Sequence, residues 1–286
     1  MKTEKLFVVL LWIGLLVITI SCEEIFLKEV EVEEAAVEHR LVVQAFISPQ
    51  DSLIKVEVRY AEPAIGVVEL DKESNSIAMD ATVTLQEGNT KVTLLLEDFK
   101  RYYFIRKEAF PILAGKTYTL VVNVPDYLEA IATCTIPTSR VDTNKVKVIA
   151  KGDLQQSIAL SWEDFSDETN YYSLFSLSMR EDALGNLEMR RNSNSVGLYT
   201  DRLNDGGMIF SDSFVPSDVA AYDGYKFYPL ALLANVDYNY YEFHRTLKAQ
   251  TLDIEFSGGI PQAIYTNIEG GFGIFAAYNG VLINLN

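Results

Sequence analysis

The chain has 286 residues, with 40 Asp and Glu against 24 Lys and Arg, a formal net charge of −16. Nucleic-acid binding gains affinity by releasing counterions to clustered Lys and Arg, and the nearest approach to a cluster is the isolated pair Arg190-Arg191, so a nucleic-acid role finds no support. A hydrophobic fraction of 49%, with 16 Tyr and 15 Phe, is enough to fill the cores of two ordinary domains.

The first element is an amino-terminal leader. Lys2 and Lys5 precede an unbroken apolar run over residues 6–20, followed by Ser21-Cys22-Glu23-Glu24. A helix spanning the hydrocarbon core needs about 20 apolar residues, so the shorter run reads as a signal peptide, residues 1–21. Ser21 is small enough for a peptidase pocket, and Cys22 supplies a thiol that can be thioether-linked to diacylglycerol before cleavage. Two or three acyl chains on one residue make a stable tether where one holds only marginally. Thr19 departs from the Leu of the commonest lipoprotein signal, whereas Ile20 and Ser21 fit it. The competing reading is an ordinary secretory signal, or an uncleaved anchor, with Cys22 an incidental thiol. Residues 22–38 carry Glu23, Glu24, Glu29, Glu31, Glu33 and Glu34, a self-repelling linker that holds the body off the membrane. The location this implies is the cell envelope, reached through the lipid on Cys22. In lipoproteins that this leader resembles, acidic residues after the cysteine can direct export to the cell surface.

From residue 39 the apolar period is two. Strands are expected at 41–47, 54–60, 81–86, 92–96, 102–105, 118–124 and 130–136, separated by turns such as Glu87-Gly88-Asn89 and Ala114-Gly115-Lys116. Seven short strands ending at Pro137 predict a β-sandwich over 39–137. Ile54, Val56 and Val58 alternate with Lys55, Glu57 and Arg59, one face packed and one wet. The polar stretch 138–144 suits a domain junction. A second β domain is expected over 138–286, with strands at 146–150, 157–162, 171–179, 187–191, 196–200 and 227–234. Trp162 and Tyr172 have the spacing of the second and third strands of fibronectin type III modules, which makes Trp162 a core residue. One helix is expected at about 238–250, packed on the second domain. Asn239 three residues before Glu242 gives it a capping-box-like start, and Tyr240, Phe243, His244 and Leu247 share one face. The fold class is therefore mainly β: two tandem sandwiches of immunoglobulin or fibronectin type III type, plus one helix.

Residues able to carry chemistry are few. With Cys22 acylated, Cys134 has no partner for an intramolecular disulfide, and the alternation around it makes it a buried small hydrophobe. His39 and His244 have no metal-ligand pattern around them, and His244 reads as a largely buried imidazole bonded to a neighbour. Asp201-Arg-Leu-Asn-Asp-Gly-Gly207 brings Asp201, Asn204 and Asp205 together, offering the oxygens that calcium takes. The spacing is not that of an EF-hand, and a turn built from Asn, Asp and Gly is the commoner cause of such a string. Residues 267–273 lack the Lys-Ser/Thr of a phosphate loop, so Gly270, Gly271 and Gly273 are read as letting a buried strand bend or cross closely. No Gly-x-Ser-x-Gly elbow is present, and composition cannot pair two carboxylates across a sugar. No cofactor is expected, and no catalytic residue is assigned.

Leu41-Val-Val-Gln-Ala-Phe-Ile47, Ala114-Gly-Lys-Thr-Tyr-Thr-Leu120, Thr135-Ile-Pro137, Leu160-Ser-Trp-Glu-Asp164, Asn170-Tyr-Tyr172, Tyr240-Tyr-Glu-Phe243 and Thr266-Asn-Ile-Glu-Gly-Gly-Phe-Gly-Ile-Phe275 follow one another in an order that resembles a Bacteroidota lipoprotein family labelled domain of unknown function 4249. The resemblance implies a secreted, membrane-anchored protein, often encoded beside a TonB-dependent transporter, with no enzymatic activity to carry over. The expected function is a non-catalytic binding or accessory subunit of such an uptake system, its partners the outer membrane and a TonB-dependent transporter, its small-molecule or glycan ligand unknown. The alternatives are an adhesive or structural surface module and, third, a glycan-active hydrolase.

Overall fold

The computed structural model describes residues 39–61, 76–151, 157–215, 225–256 and 263–285. The leader, Cys22 and the acidic linker lie outside the described residues. In chain order the strands are β1 (Leu41–Ile47), β2 (Leu53–Tyr60), β3 (Thr82–Glu87), β4 (Thr90–Thr93), β5 (Leu95–Glu97), β6 (Tyr102–Arg106), β7 (Thr117–Asn123) and β8 (Ala130–Thr135). Then follow β9 (Lys147–Lys151), β10 (Ser157–Glu163), β11 (Tyr171–Glu181), β12 (Leu187–Thr200), β13 (Met208–Phe210), β14 (Lys226–Val236), the helix α1 (Tyr238–Phe256) and β15 (Gly271–Asn284). No helix among the described residues is long and apolar enough to cross a membrane.

The strands form an eight-stranded sheet, β12-β11-β14-β15-β1-β2-β6-β5, and two smaller ones, β4-β3-β7-β8 and β13-β10-β9. Side chains alternate across a strand, and β15 shows what each face of the large sheet meets. Phe275 and Ala277 enter the core beneath the four-stranded sheet, and Ile283 enters the core beneath the three-stranded one. Ile274 and Ala276 point the other way, into a cluster with Tyr240 of α1. Two sandwiches are thus built on one face of the large sheet, and the helix covers its middle on the other. Strands with one wet face alternate as expected: Ile54, Val56 and Val58 are buried while Lys55, Glu57 and Arg59 are exposed. β11, covered on both sides, is apolar or small almost throughout and buried from Tyr172 to Ser178.

The chain order is tandem up to residue 270, and the last strand then crosses between the halves. Residues Gly271 to Ala277 run parallel to β1, and Tyr278 to Asn284 run antiparallel to β14. The two sandwiches share this strand, and residues 39–286 form one compact unit. The crossing is tight. Gly273 has φ +104, and a Cβ there would stand 2.0 Å from the Val43 carbonyl oxygen; one on Gly270 would stand 2.1 Å from that of Glu129. The glycines serve the close crossing read from the sequence. Asn267 braces the bend: its amide nitrogen donates to the carbonyls of Thr133 (3.1 Å) and Phe275 (2.7 Å), and its oxygen accepts from the Phe275 N–H (3.0 Å).

The polar junction after Pro137 is fixed to the sheet. Asn235 and Asn279, facing each other on β14 and β15, are both buried. They donate to the carbonyls of Ser139 (3.3 Å) and Pro137 (2.9 Å). Gln50 donates to Asn279 Oδ1 (3.1 Å) and accepts from the Gly280 N–H (3.0 Å), so the β1–β2 turn is held in the same network.

Five local expectations are corrected. The strand expected at 92–96 is two strands in different sheets, β4 and β5, because the chain changes sheets at buried Leu94, whose N–H donates to the Val83 carbonyl. The two strands expected at 187–191 and 196–200 are one, β12, with a register irregularity opposite Phe175 to Leu177. Three-residue β13 is too short to show a period. The helix runs to Phe256, and its cap is Asp237 rather than Asn239: Asp237 Oδ1 accepts from the Tyr240 N–H at 2.8 Å, whereas the Asn239 side chain turns away to the Thr133 carbonyl and the Tyr265 hydroxyl. Leu247, expected on the packed face, is exposed, while Tyr240 is buried. Asp237 is itself half-buried, and its enclosed Oδ2 has no hydrogen-bond partner. Burial pushes its carboxyl up to about 7, opposed by the Tyr240 N–H and, among weaker influences, by polar groups of Asn239 and Thr135.

Two outcomes follow for stability. Gly273→Ala should cost at least about 2 kcal/mol in urea unfolding. Gly88→Ala, with φ +55 but open space for the methyl, should cost about 1 kcal/mol; equal losses would contradict the tight crossing. For Asp237, the folded carboxyl at about 7 lies above an unfolded value of about 3.9. The folded state therefore holds an extra proton between these values, and stability falls as pH rises through that window. The stability of the native protein relative to Asp237→Asn should fall by up to roughly 4 kcal/mol from pH 4 to pH 8; parallel profiles would contradict it.

Candidate functional site

One end of the second sandwich gathers acidic side chains from two loops, residues 164–170 between β10 and β11 and residues 201–207 between β12 and β13. Trp162 fixes the end of β10. It is fully buried and packs edge-on against Tyr172 and Tyr199, with ring centroids 5.5 Å from each; its indole N–H has no partner. Trp162 is core as predicted, and Tyr172 is buried beside it. Past Glu163 the chain turns, and the Asp164 N–H donates to the Gly207 carbonyl at 2.9 Å. The Asp164 carboxylate accepts from the Tyr172 hydroxyl (2.5 Å) and the Gly206 N–H (2.9 Å). Asp167 sits in the left-handed region, φ 70, and donates its N–H to Asp205 Oδ1 at 3.1 Å. The Asn170 N–H donates to Asp201 Oδ2 at 2.8 Å. Paired in this way, the loops bring one oxygen each of Asp164, Asp201 and Asp205 within 4.8 Å of one another.

Burial of Asp164 and Asp201 is nearly complete, while Asp205 is exposed. Burial raises the Asp201 carboxyl above its ordinary value against the pull of the Asn170 N–H, and Asp164 and Asp205 add to the rise. Burial, then the bond to Asp164, drives the Tyr172 phenol far above its usual range. Among the described residues no Lys or Arg forms an ion pair with any of the three carboxylates.

Of the oxygens singled out in the sequence, the structure thus joins Asp201 and Asp205. Asn204 instead closes its turn, donating its amide to the Met208 carbonyl at 3.2 Å. Asp164 and Asn170 were missed because they stand far back in the sequence, joined to the loop only by folding. The Trp-Glu-Asp string carried the sole hint. Cys134 is buried and burial lifts its thiol well above the ordinary range, the behaviour of an inert packing residue. His244 is half-buried, its Nδ1 2.9 Å from the Tyr240 carbonyl and its ring stacked on that of Tyr240. His39 meets Tyr127 edge-on.

Two clefts lie elsewhere. One of about 400 Å³ opens between α1 and the large sheet, lined by Tyr199, Asp212, Phe214, Tyr241, Arg245 and Lys248 among others. Arg245 is held by both oxygens of Glu242. The other, about 390 Å³, lies between β8 and the segment before β15, with Thr133, Asn239, Asn267 and Glu269 on its wall. Among the described residues each wall carries a single carboxylate, Asp212 or Glu269.

A family model described as Domain of unknown function (DUF4249) matches residues 28–281. No curated protein matches the sequence. Among solved structures, a two fibronectin type-III domain segment from chicken tenascin is similar at 10% identity over 69% of this chain and 91% of that one, with a TM-score of 0.21.

Proposed function

The chain belongs to the family described as Domain of unknown function (DUF4249), and from that premise we propose that it is an outer-membrane lipoprotein of the Bacteroidota type. In this reading it is a non-catalytic binding or accessory subunit of a TonB-dependent uptake system. The observation that carries the reading is the leader: Lys2, Lys5, the apolar run 6–20 and Ser21-Cys22 stand ahead of the family region, which begins at residue 28. Lipid on Cys22 holds the body in two dimensions beside its partner and raises its effective concentration there, as a linker does for tethered modules. The acidic linker supports the same arrangement by keeping the body away from anionic lipid. The contact surface is the end of the second sandwich and the cleft beside α1, where Tyr and Phe rings stand next to Arg245 and Lys248.

A second reading, an adhesive surface module, is favoured by the edge strand β12 and its turn, where Leu184, Leu187 and Met189 are exposed. An apolar edge invites strand pairing with another chain. Palmitate labelling of the native protein, lost in Cys22→Ser, together with co-purification of a barrel transporter with the tagged chain, is the expected outcome. An unlabelled native protein contradicts the anchor, and self-assembly into polymers without a transporter selects the adhesive reading.

A further inference from the structure

We propose that the cleft between α1 and the large sheet binds a short peptide with both termini free, its carboxylate held by Arg245 and Lys248 and its ammonium by Asp212. The proposal rests on the reading of the protein as a binding subunit and names the ligand of its cleft. Tyr241, Arg245 and Lys248 stand at i, i+4 and i+7 of α1, so one stripe of the helix forms a wall. That wall is held in place. The Tyr241 ring packs on Tyr171, centroids 4.8 Å apart, and Glu242 grips the Arg245 guanidinium at Nε (2.8 Å) and Nη2 (2.6 Å). This grip fixes the guanidinium plane and leaves Nη1 without a partner among the described residues, its N–H groups available to an anion.

Asp212, Ser213 and Phe214, in the segment after β13, form a second wall. It is pinned at both ends. Phe214 exchanges backbone hydrogen bonds with Ile158 of β10, 2.9 Å each way, and the Asp212 N–H donates to the Tyr199 hydroxyl at 3.2 Å. Among the described residues neither Asp212 nor Lys248 forms an ion pair, so the acid does not reach across to the helix. Glu242 balances Arg245, and each wall is left with one uncompensated charge of opposite sign. Leu174, Leu198 and the rings of Tyr199 and Phe214 supply apolar surface in the same cleft. Its volume of about 400 Å³ falls at the lower end of the range for small-molecule sites, about 300–1,000 Å³, which suits a peptide of a few residues. A simple anion would meet Asp212, and a neutral ligand would leave both charges unmatched. A zwitterion with apolar side chains matches both charges and the apolar surface.

The test is isothermal titration calorimetry of the full chain in detergent against leucyl-leucine, N-acetyl-leucyl-leucine and leucyl-leucinamide. The free dipeptide should bind with a Kd on the order of 0.2 mM, the efficiency usual for small ligands. Capping either end should weaken it about fivefold or more. This comparison reads both arms on the native protein, without any substitution. Asp212→Asn, at an exposed position, should weaken leucyl-leucine by a similar factor at an unchanged thermal midpoint, and acetylation should then cost nothing further. In the double variant Arg245→Gln, Lys248→Gln it is amidation that should become free. No binding of leucyl-leucine, equal affinities for free and capped peptides, or a full cost of acetylation in Asp212→Asn would each overturn the assignment. None of these results bears on palmitate labelling or transporter co-purification, so failure of the peptide site and failure of the lipoprotein reading are told apart.

Discussion

The close passage of β15 over β1 and β8 is the constraint on which the rest of the structure depends. Gly270 and Gly273 place backbone within contact of the Glu129 and Val43 carbonyls, where a Cβ has no room. Without that approach the last strand could not enter the first sandwich beside β1 and then continue beside β14 in the second. The consequence is one eight-stranded sheet in place of two separate ones. Phe275 and Ile283, eight residues apart on the same face of one strand, anchor different cores.

The sharing also explains why polar side chains gather at the crossing. Asn235, Asn267 and Asn279 all lie along the crossing and bond to backbone that the irregular junction would otherwise leave without partners. Asp237 sits at the same junction, with its N–H on the Ala277 carbonyl and its carboxylate at the start of α1. It caps the helix that covers the large sheet's middle, at the cost of a carboxyl that resists ionising. Away from this bonded junction, at the ends and edges of the sandwiches, lie the paired acidic loops, the cleft beside α1 and the β11–β12 turn. Loops on a rigid scaffold are where binding proteins carry their specificity, which is why the proposed contact surface falls there.

Much of the fold was legible because a two-residue period leaves a strong local mark. β1 was readable residue for residue, and Trp162 and the three closely packed glycines could be assigned their roles without coordinates. What failed was non-local. Nothing near Leu94 announces that the chain changes sheets, since the local pattern is one apolar run. The Asp237 cap lay hidden because Asn239 and Glu242 offer a better-looking capping box, and the choice between them was made by tertiary contacts that draw Asn239 to Thr133 and Tyr265. The acidic site was half visible for the same reason. Asp201 and Asp205 lie in one loop, while Asp164 and Asn170 arrive from another strand connection, and Asn204, the obvious local ligand, is used up in closing its own turn.

Differential scanning calorimetry of the protein tests the shared-strand account most directly, because two cores fastened by one strand cannot melt independently. The account predicts a single transition whose calorimetric enthalpy equals its van't Hoff enthalpy. Two resolved transitions, one for each sandwich, would contradict it.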